Sequence, residues 1–398
     1  MTYREITSGL YWVGSNDWNR RLFDELIPLP EGTSYNAYLI RGREKTALID
    51  TVDPTKEEEL LANLRSLGIS SLDYLVVNHA EQDHSGAIPR ILKEFPGVQI
   101  VTNEKCRDLL ISLLILPENV FYTIKDGDTL SLGDRTLEFL ITPWVHWPET
   151  MLTYLQEEKI LFTCDFFGSH LATSDLYHPE KAQMHEAAKR YYAEIMMPFR
   201  GSIRNHLERL KKYEIRTIAP SHGPLWDDPD FILQEYSDWV SDYVGNIVVI
   251  VYVSMHGSTR KMVDHLVDAL IKRGIRVKPF DLTVTDLGAL AIALVDAATI
   301  VIGTPTVIFN PHPSVVYATQ LVRILRPKAR NATVIGSYGW GGKSVKVITD
   351  MLSSSTVRFL DPVMILGNPT DEGFKALDAL ADAITDAHHA DPLVVGEK

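Results

Sequence analysis

Two patterns of apolar positions meet near residues 242–246 of this chain. Beyond that point the alternation is regular. Residues 247–253 form a continuous β-branched run suited to a strand buried on both faces. Residues 260–272 then set Met262, Val263, Leu266, Val267 and Leu270 along one side of a helix. The two patterns recur, with strands near Val277 and at 299–303, 332–336 and 363–366, and helices at 287–296, 314–325, 343–352 and 371–388. Before the boundary the apolar runs are shorter. The runs at 72–77, 136–142, 159–164 and 216–221 each lead into residues capable of binding metal.

Strands and helices taken strictly in turn, five of each, predict a doubly wound parallel sheet with the flavodoxin-like strand order. Within 398 residues this implies two domains, 1–242 and 247–398. The 45% hydrophobic content is that of a globular chain, and no apolar run is long enough to span a bilayer. The N-terminus lacks a basic region followed by an apolar core, so no secretory signal is expected. Only Cys106 and Cys164 are present, which disfavours a disulfide framework, a zinc ribbon or a cysteine-ligated cluster and fits a reducing cytoplasm. A net charge of −13 argues against a general nucleic-acid binder.

The densest chemistry is His79-Ala80-Glu81-Gln82-Asp83-His84, placed where a buried strand turns into a helix. His79 and Glu81, two apart in extended backbone, point the same way, and Asp83 and His84 at the helix start address a neighbouring point. Such a turn can serve two metals. Other strand ends deliver His146, Asp165 and His222. Singly, the histidines also suit satisfied core or loop positions and the aspartate a turn or cap. Together with the His79 turn, they are expected to form one site.

In the C-terminal domain, ligands of a doubly wound sheet bind beyond the carboxyl ends of the strands. Three loops stand there. Ser254, Met255, His256, Gly257, Ser258 and Thr259 form a hydroxyl-rich turn into a helix N-terminus, suited to a phosphate dianion. Thr304, Pro305, Thr306, Val307, Ile308, Phe309, Asn310 and Pro311 follow the third strand, and Ser337, Tyr338, Gly339, Trp340, Gly341 and Gly342 the fourth; together they suit a flat heteroaromatic ring. Gly341-Gly342-Lys343-Ser344 imitates the end of a nucleotide P-loop, but Ser337 stands where its first glycine belongs.

The series His79-x-Glu81-x-Asp83-His84, His146, Asp165 and His222, ahead of a flavodoxin-like domain, resembles the flavodiiron proteins. Residues 35–39, 146–151 and 219–223 extend the likeness. The resemblance implies a metallo-β-lactamase-like αβ/βα sandwich followed by the flavodoxin-like sheet. It also implies one iron on His79, Glu81 and His146, a second on Asp83, His84 and His222, Asp165 as the bridge, and FMN on the three C-terminal loops. The activity implied is reduction of dioxygen to water, of nitric oxide to nitrous oxide, or of both. Electrons would come from a separate rubredoxin or a reduced deazaflavin coenzyme, since no paired Cys-x-x-Cys is present. The minimal two-domain form and a head-to-tail homodimer or dimer of dimers are expected on the same ground.

Four imidazoles and three carboxylates suit two divalent ions that must also become trivalent, whereas zinc cannot change oxidation state. Glu81 occupies a position where a zinc hydrolase would usually carry histidine. A zinc hydrolase with an accessory flavodoxin-like domain and an electron carrier with a structural metal remain the competing expectations. Asp24 takes the place of a histidine found in many relatives, which bears on the substrate pocket. Tyr191 and Tyr192 are candidate pocket residues, although helix packing is the more ordinary role for such a pair. Cys106 and Cys164 are assigned to the core, with Cys164 pointing away from the face that carries Asp165.

Overall fold

Leu39 and Ile40 are neighbours on one strand and enter different cores, because successive side chains of a strand point to opposite faces. The computed structural model describes residues 3–23, 25–177 and 180–396. The chain divides into two compact units, Met1–Tyr192 with Phe199–Val240, and Ala193–Pro198 with Ser241–Lys398.

The first unit carries a seven-stranded sheet in the order Arg4–Thr7, Leu10–Trp12, Tyr38–Arg41, Thr46–Ile49, Tyr74–Val76, Gln99–Asn103 and Phe121–Ile124. A five-stranded sheet runs Thr129–Ser131, Thr136–Ile141, Met151–Leu155, Ile160–Cys164 and Thr217–Pro220. Ile40, Ile49, Val76 and Val101 of the first sheet meet Leu137, Phe139, Met151 and Phe162 of the second in one apolar layer. On its other face the first sheet turns Leu39, Leu48, Leu75 and Ile100 toward Leu60 and Leu64 of helix Glu57–Ser66 and Cys106 and Leu110 of helix Glu104–Leu114. Runs such as Tyr74–Val76 are apolar throughout because both faces are covered. The sheets form the expected sandwich, and Cys106 is core as expected.

The second unit is a parallel sheet ordered Arg276–Asp281, Val244–Tyr252, Ala297–Val307 and Asn331–Tyr338, with Val363–Leu366 beyond. In chain order this is 2-1-3-4-5, the flavodoxin-like arrangement. Helices Ser258–Lys272 and Asp371–Ala390 cover one face, burying Met262, Leu266, Leu377 and Ile384 against Val248, Ile250 and Ile335. The third strand departs from its expected end at Gly303. It continues to Val307, turns through Ile308 and Phe309 at φ 46° and 65°, and pairs back through Asn310–Pro311. Positive φ at both turn residues is what a two-residue hairpin of this hand requires, and neither is the glycine or asparagine that would announce it. Among the described residues, no helix is long and apolar enough to cross a membrane.

Candidate functional site

Helical turn Gln82–Ser85 follows strand Tyr74–Val76 after five residues, with Glu81 at its N-cap. Its neighbours hold that connection. Asn78 donates through its backbone N–H to Asp50 Oδ1 at 2.7 Å and through Nδ2 to Asp50 Oδ2 at 2.8 Å. The Thr51 N–H donates to the His84 carbonyl at 2.9 Å. Burial pushes the Asp50 carboxyl up to about 6, against the Asn78 hydrogen bonds that favour its charged form.

All seven candidate ligands come together in the first unit. His79 Nε2 and His146 Nε2 each lie 3.1 Å from Glu81 Oε2 and 3.4 Å from Asp165 Oδ2. Asp83 Oδ2 lies 3.3 Å from His84 Nε2 and 3.1 Å from His222 Nε2. Asp165 Oδ1 is 2.9 Å from His84 Nε2 and 3.4 Å from His222 Nε2. Asp165 therefore presents one oxygen to each group, as a bridging carboxylate does. Each group, His79 with Glu81, His146 and Asp165, and Asp83 with His84 and His222, brings one donor atom per residue within 4.8 Å of the rest.

Both Asp83 oxygens, Asp165 Oδ2 and His222 Nε2 are buried without a hydrogen-bond partner. An unpaired buried charge costs on the order of several kcal/mol, so the donor set fits cations held between its members. The imidazoles report the same excess of negative charge. Burial works against their protonation, yet Asp165 and Glu81 push His146 up to about 9, and Asp165 and Asp83 push His222 up to about 10. Metal ions would take the place of those protons.

In the second unit the three candidate loops converge at the carboxyl edge of the sheet. Gly257 adopts φ +87°, the left-handed conformation that glycine accepts without strain, ahead of helix Ser258–Lys272. Thr259 Oγ1 lies 3.4 Å from Ser337 Oγ, tying the first loop to the third. The Lys343 N–H donates to the Phe309 carbonyl at 2.7 Å, and Thr306 Oγ1 lies 3.2 Å from Ser344 Oγ. Ser254 Oγ accepts from the Arg260 N–H at 3.2 Å, and the Ser258 hydroxyl donates to Asn368 Oδ1 at 3.3 Å. Met255, Phe309 and Trp340 are exposed by 51%, 53% and 69%, leaving apolar surface beside the hydroxyl-rich turn. Pro305 is buried in the strand, and Thr306, Val307, Ser337 and Tyr338 are half-buried. His256, Asn310, Gly339, Gly341 and Gly342 are exposed. A phosphate at the helix start and a ring over the apolar side chains suit this edge.

Residues 33–223 match the model of a family described as ODP family beta lactamase. The nitric oxide reductase of Moorella thermoacetica is 39% identical over 363 residues, 89% of this chain and 90% of that protein. The rubredoxin oxygen:oxidoreductase of the anaerobe Desulfovibrio gigas has a structure that superposes with a TM-score of 0.93 at 32% identity, over 97% of this chain and 98% of that one. The flavodiiron protein of Giardia intestinalis superposes at 0.88 with 29% identity, over 97% and 98% of the two chains. The chain belongs to the flavodiiron protein family.

Around the candidate ligands of this flavodiiron protein stands a second layer that sequence reasoning largely missed. His79 Nδ1–H donates to Glu149 Oε1 at 2.7 Å, and Glu149 is fully buried. Burial opposes ionisation of Glu149, but the His79 hydrogen bond and charge together hold its carboxyl below the ordinary value. A carboxylate three residues after His146 was the available signal. His222 Nδ1–H donates instead to the Ser34 carbonyl at 2.7 Å. The Tyr191 hydroxyl donates to Asp165 Oδ1 at 2.8 Å, whereas that of Tyr192 donates to the Trp239 carbonyl at 3.2 Å. Tyr191 therefore belongs to the site, and the packing role expected of the pair describes Tyr192 alone.

His170 was not anticipated. Its Nδ1 lies 2.9 Å from Thr33 Oγ1, and its ring sits 4.8 Å from that of His222 and 4.9 Å from that of Tyr191. Burial, reinforced by the charge of His222, holds it well below its ordinary pKa. Cys164 is buried as expected, but its sulfur lies within 4.8 Å of donor atoms of His84 and Asp165, not on the opposite face. Strand pairing slips between Phe162 and Cys164, and Cys164 takes φ +49°, so the alternation of an ideal strand fails there. Asp24 lies outside the described residues.

Proposed function

We propose that the chain is an oxidoreductase that reduces dioxygen to water, nitric oxide to nitrous oxide, or both, at a diiron centre supplied with electrons by FMN. The division of the Asp165 oxygens between two groups of imidazole and carboxylate donors carries this reading. His79, Glu81 and His146 would hold one iron, Asp83, His84 and His222 the other, with Asp165 bridging. The loops of Ser254 to Thr259, Pro305 to Asn310 and Ser337 to Gly342 would hold the FMN.

When bound, two ferrous ions would supply two electrons and a reduced flavin two more, which balances dioxygen with four protons against two waters. Two molecules of nitric oxide take two electrons and two protons to give nitrous oxide and water. The chain's own contribution is positional. Asp165 and Glu81 set the ligand charge, Tyr191 holds a proton on its hydroxyl against Asp165 Oδ1, and Glu149 fixes the His79 ring with Nε2 toward the centre. A zinc hydrolase is disfavoured because Glu81 places a hard carboxylate oxygen 3.1 Å from both His79 Nε2 and His146 Nε2.

The donor is a separate rubredoxin or a reduced deazaflavin coenzyme, the first supported by the name of the Desulfovibrio relative. The assembly is a head-to-tail homodimer or dimer of dimers, and the two free, buried cysteines support a reducing cytoplasm. Metal and flavin analysis of the purified chain, followed by oxygen-electrode and nitric-oxide-electrode assays with each donor, tests the reading. Close to two irons and one FMN per chain with consumption of either gas is expected. Zinc after growth with ample iron, or no consumption of either gas, overturns it.

A further inference from the structure

We propose that Glu149 and Tyr191 make the two halves of the ligand set electronically unequal, so that the His79 half holds the ferric state more tightly than the Asp83 half. This rests on the diiron reading above. The asymmetry begins with the imidazoles. Among His79, His84 and His222, His79 alone gives its Nδ1–H to a carboxylate, the buried Glu149 at 2.7 Å. His222 gives its own to a neutral carbonyl at 2.7 Å, and His84 Nδ1 is buried without a partner.

A carboxylate acceptor raises the basicity of the imidazole, so His79 donates more charge and favours the higher oxidation state beside it. Glu149 is itself fixed, its Oε1 also taking the Ala80 N–H at 3.2 Å and its carbonyl accepting from Asn103 Nδ2 at 2.6 Å. Tyr191 works on the other half in the opposite sense. Its hydroxyl donates to Asp165 Oδ1, the oxygen nearer His84 and His222, and leaves Oδ2 to His79 and His146 without a hydrogen bond. Drawing charge from Oδ1 favours the ferrous state in the Asp83 half. Both contacts would therefore separate the two one-electron potentials, so that an iron held in the Asp83 half would take up the first electron from an external reductant and one held in the His79 half the second.

The test is a mediated redox titration of the iron- and FMN-loaded protein, followed by the paramagnetic resonance of its half-reduced iron pair. Glu149→Gln keeps the shape of the acceptor but removes its charge, and should raise the lower potential. Tyr191→Phe removes only the hydroxyl, and should lower the upper one. Each is expected to reduce the equilibrium yield constant of the half-reduced pair about tenfold, a separation of about 59 mV for one electron. Tyr192→Phe, which loses a bond to a backbone carbonyl, should leave both potentials in place. Should Glu149→Gln lose its iron, Tyr191→Phe decides alone. Both potentials moving together, or neither moving, at full iron content overturns the inequality while leaving the diiron reading intact. Failure of the unsubstituted chain to hold two irons overturns both.

Discussion

His84 Nε2 stands 2.9 Å from Asp165 Oδ1, while the other carboxylate oxygen, Oδ2, lies 3.4 Å from His79 Nε2 and His146 Nε2. One aspartate thus joins two groups of donors that share the turn after strand Tyr74–Val76 and are completed by His146 and His222 respectively, and its removal should release both. Asp165→Ala is expected to lower iron content at least about tenfold, in the range found when ligand surroundings are broken, and to abolish gas consumption. FMN content should stay at one per chain, since the loops proposed to hold it belong to the other compact unit. Full turnover by this variant would remove Asp165 from the bridge; iron and flavin analysis reads the result.

Glu81 offers a hard oxygen to the first group, and its pKa is held far below the ordinary glutamate value: burial opposes the shift, but the hydrogen bonds and charges of His146 and His79 outweigh it. Glu81→His replaces that oxygen by imidazole and makes the first group a three-histidine set. The zinc-to-iron ratio of protein grown in mixed metals should rise, and oxygen consumption should fall about tenfold or more. An unchanged metal ratio with full activity would show that Glu81 is not a ligand.

Gly257 has open space around the position of a Cβ, so a side chain there meets strain only through φ +87°. A β-branched residue in that conformation costs about 1–2 kcal/mol. Gly257→Val should therefore weaken FMN retention about tenfold while two irons remain bound. Fluorescence of released flavin and metal analysis on the same sample separate the two effects.

His388 bridges strand and helix in the second unit, with Nδ1 2.7 Å from Asn246 Oδ1 and Nε2 2.7 Å from Thr299 Oγ1. Burial, aided by the neighbouring His389, lowers its pKa to about 4 from the ordinary 6.5. The unfolded chain then takes up the proton first, so this group's contribution to stability is complete above pH 6.5 and is lost as pH falls toward 4. In denaturant titrations of the whole chain, His388→Gln should flatten the pH dependence of the transition assigned to this unit. An equally steep fall in the variant would place the acid sensitivity elsewhere.

Assembly has its own measurement. A chain made iron-free by His79→Ala and His84→Ala, mixed with a chain made flavin-free by substitutions across Ser254 to Thr259, should form hybrid dimers with one complete flavin–iron pair. Recovery of up to about half the activity per dimer is expected if electrons cross between subunits, as in a closed two-fold dimer. Verified hybrids without recovery would show that they do not.

The alternation from residue 247 onward carried the second unit almost completely, because a parallel sheet covered on both faces needs apolar strands and one-sided helices that local periodicity records. The hairpin at Ile308 and Phe309 escaped, since the residues that would mark its turn are absent and pairing with Asn310–Pro311 holds it instead. The candidate metal-site residues were legible for a related reason. His79, Glu81, Asp83 and His84 are neighbours in sequence, and His146, Asp165 and His222 each follow an apolar strand.

What the chain alone determined, then, was which residues have the chemistry and which strand ends carry them, both being local properties of side-chain type and period. The tertiary structure decided how those residues are shared out. That Asp165 splits its oxygens, that Glu149 rather than a carbonyl receives the His79 proton, that Tyr191 and not Tyr192 reaches Asp165, and that Cys164 turns toward His84 depend on contacts between elements far apart in sequence and on one slipped register. Hydrogen bonds of that kind are selected by packing geometry at the level of single ångströms, which no pattern of residue types along a chain encodes.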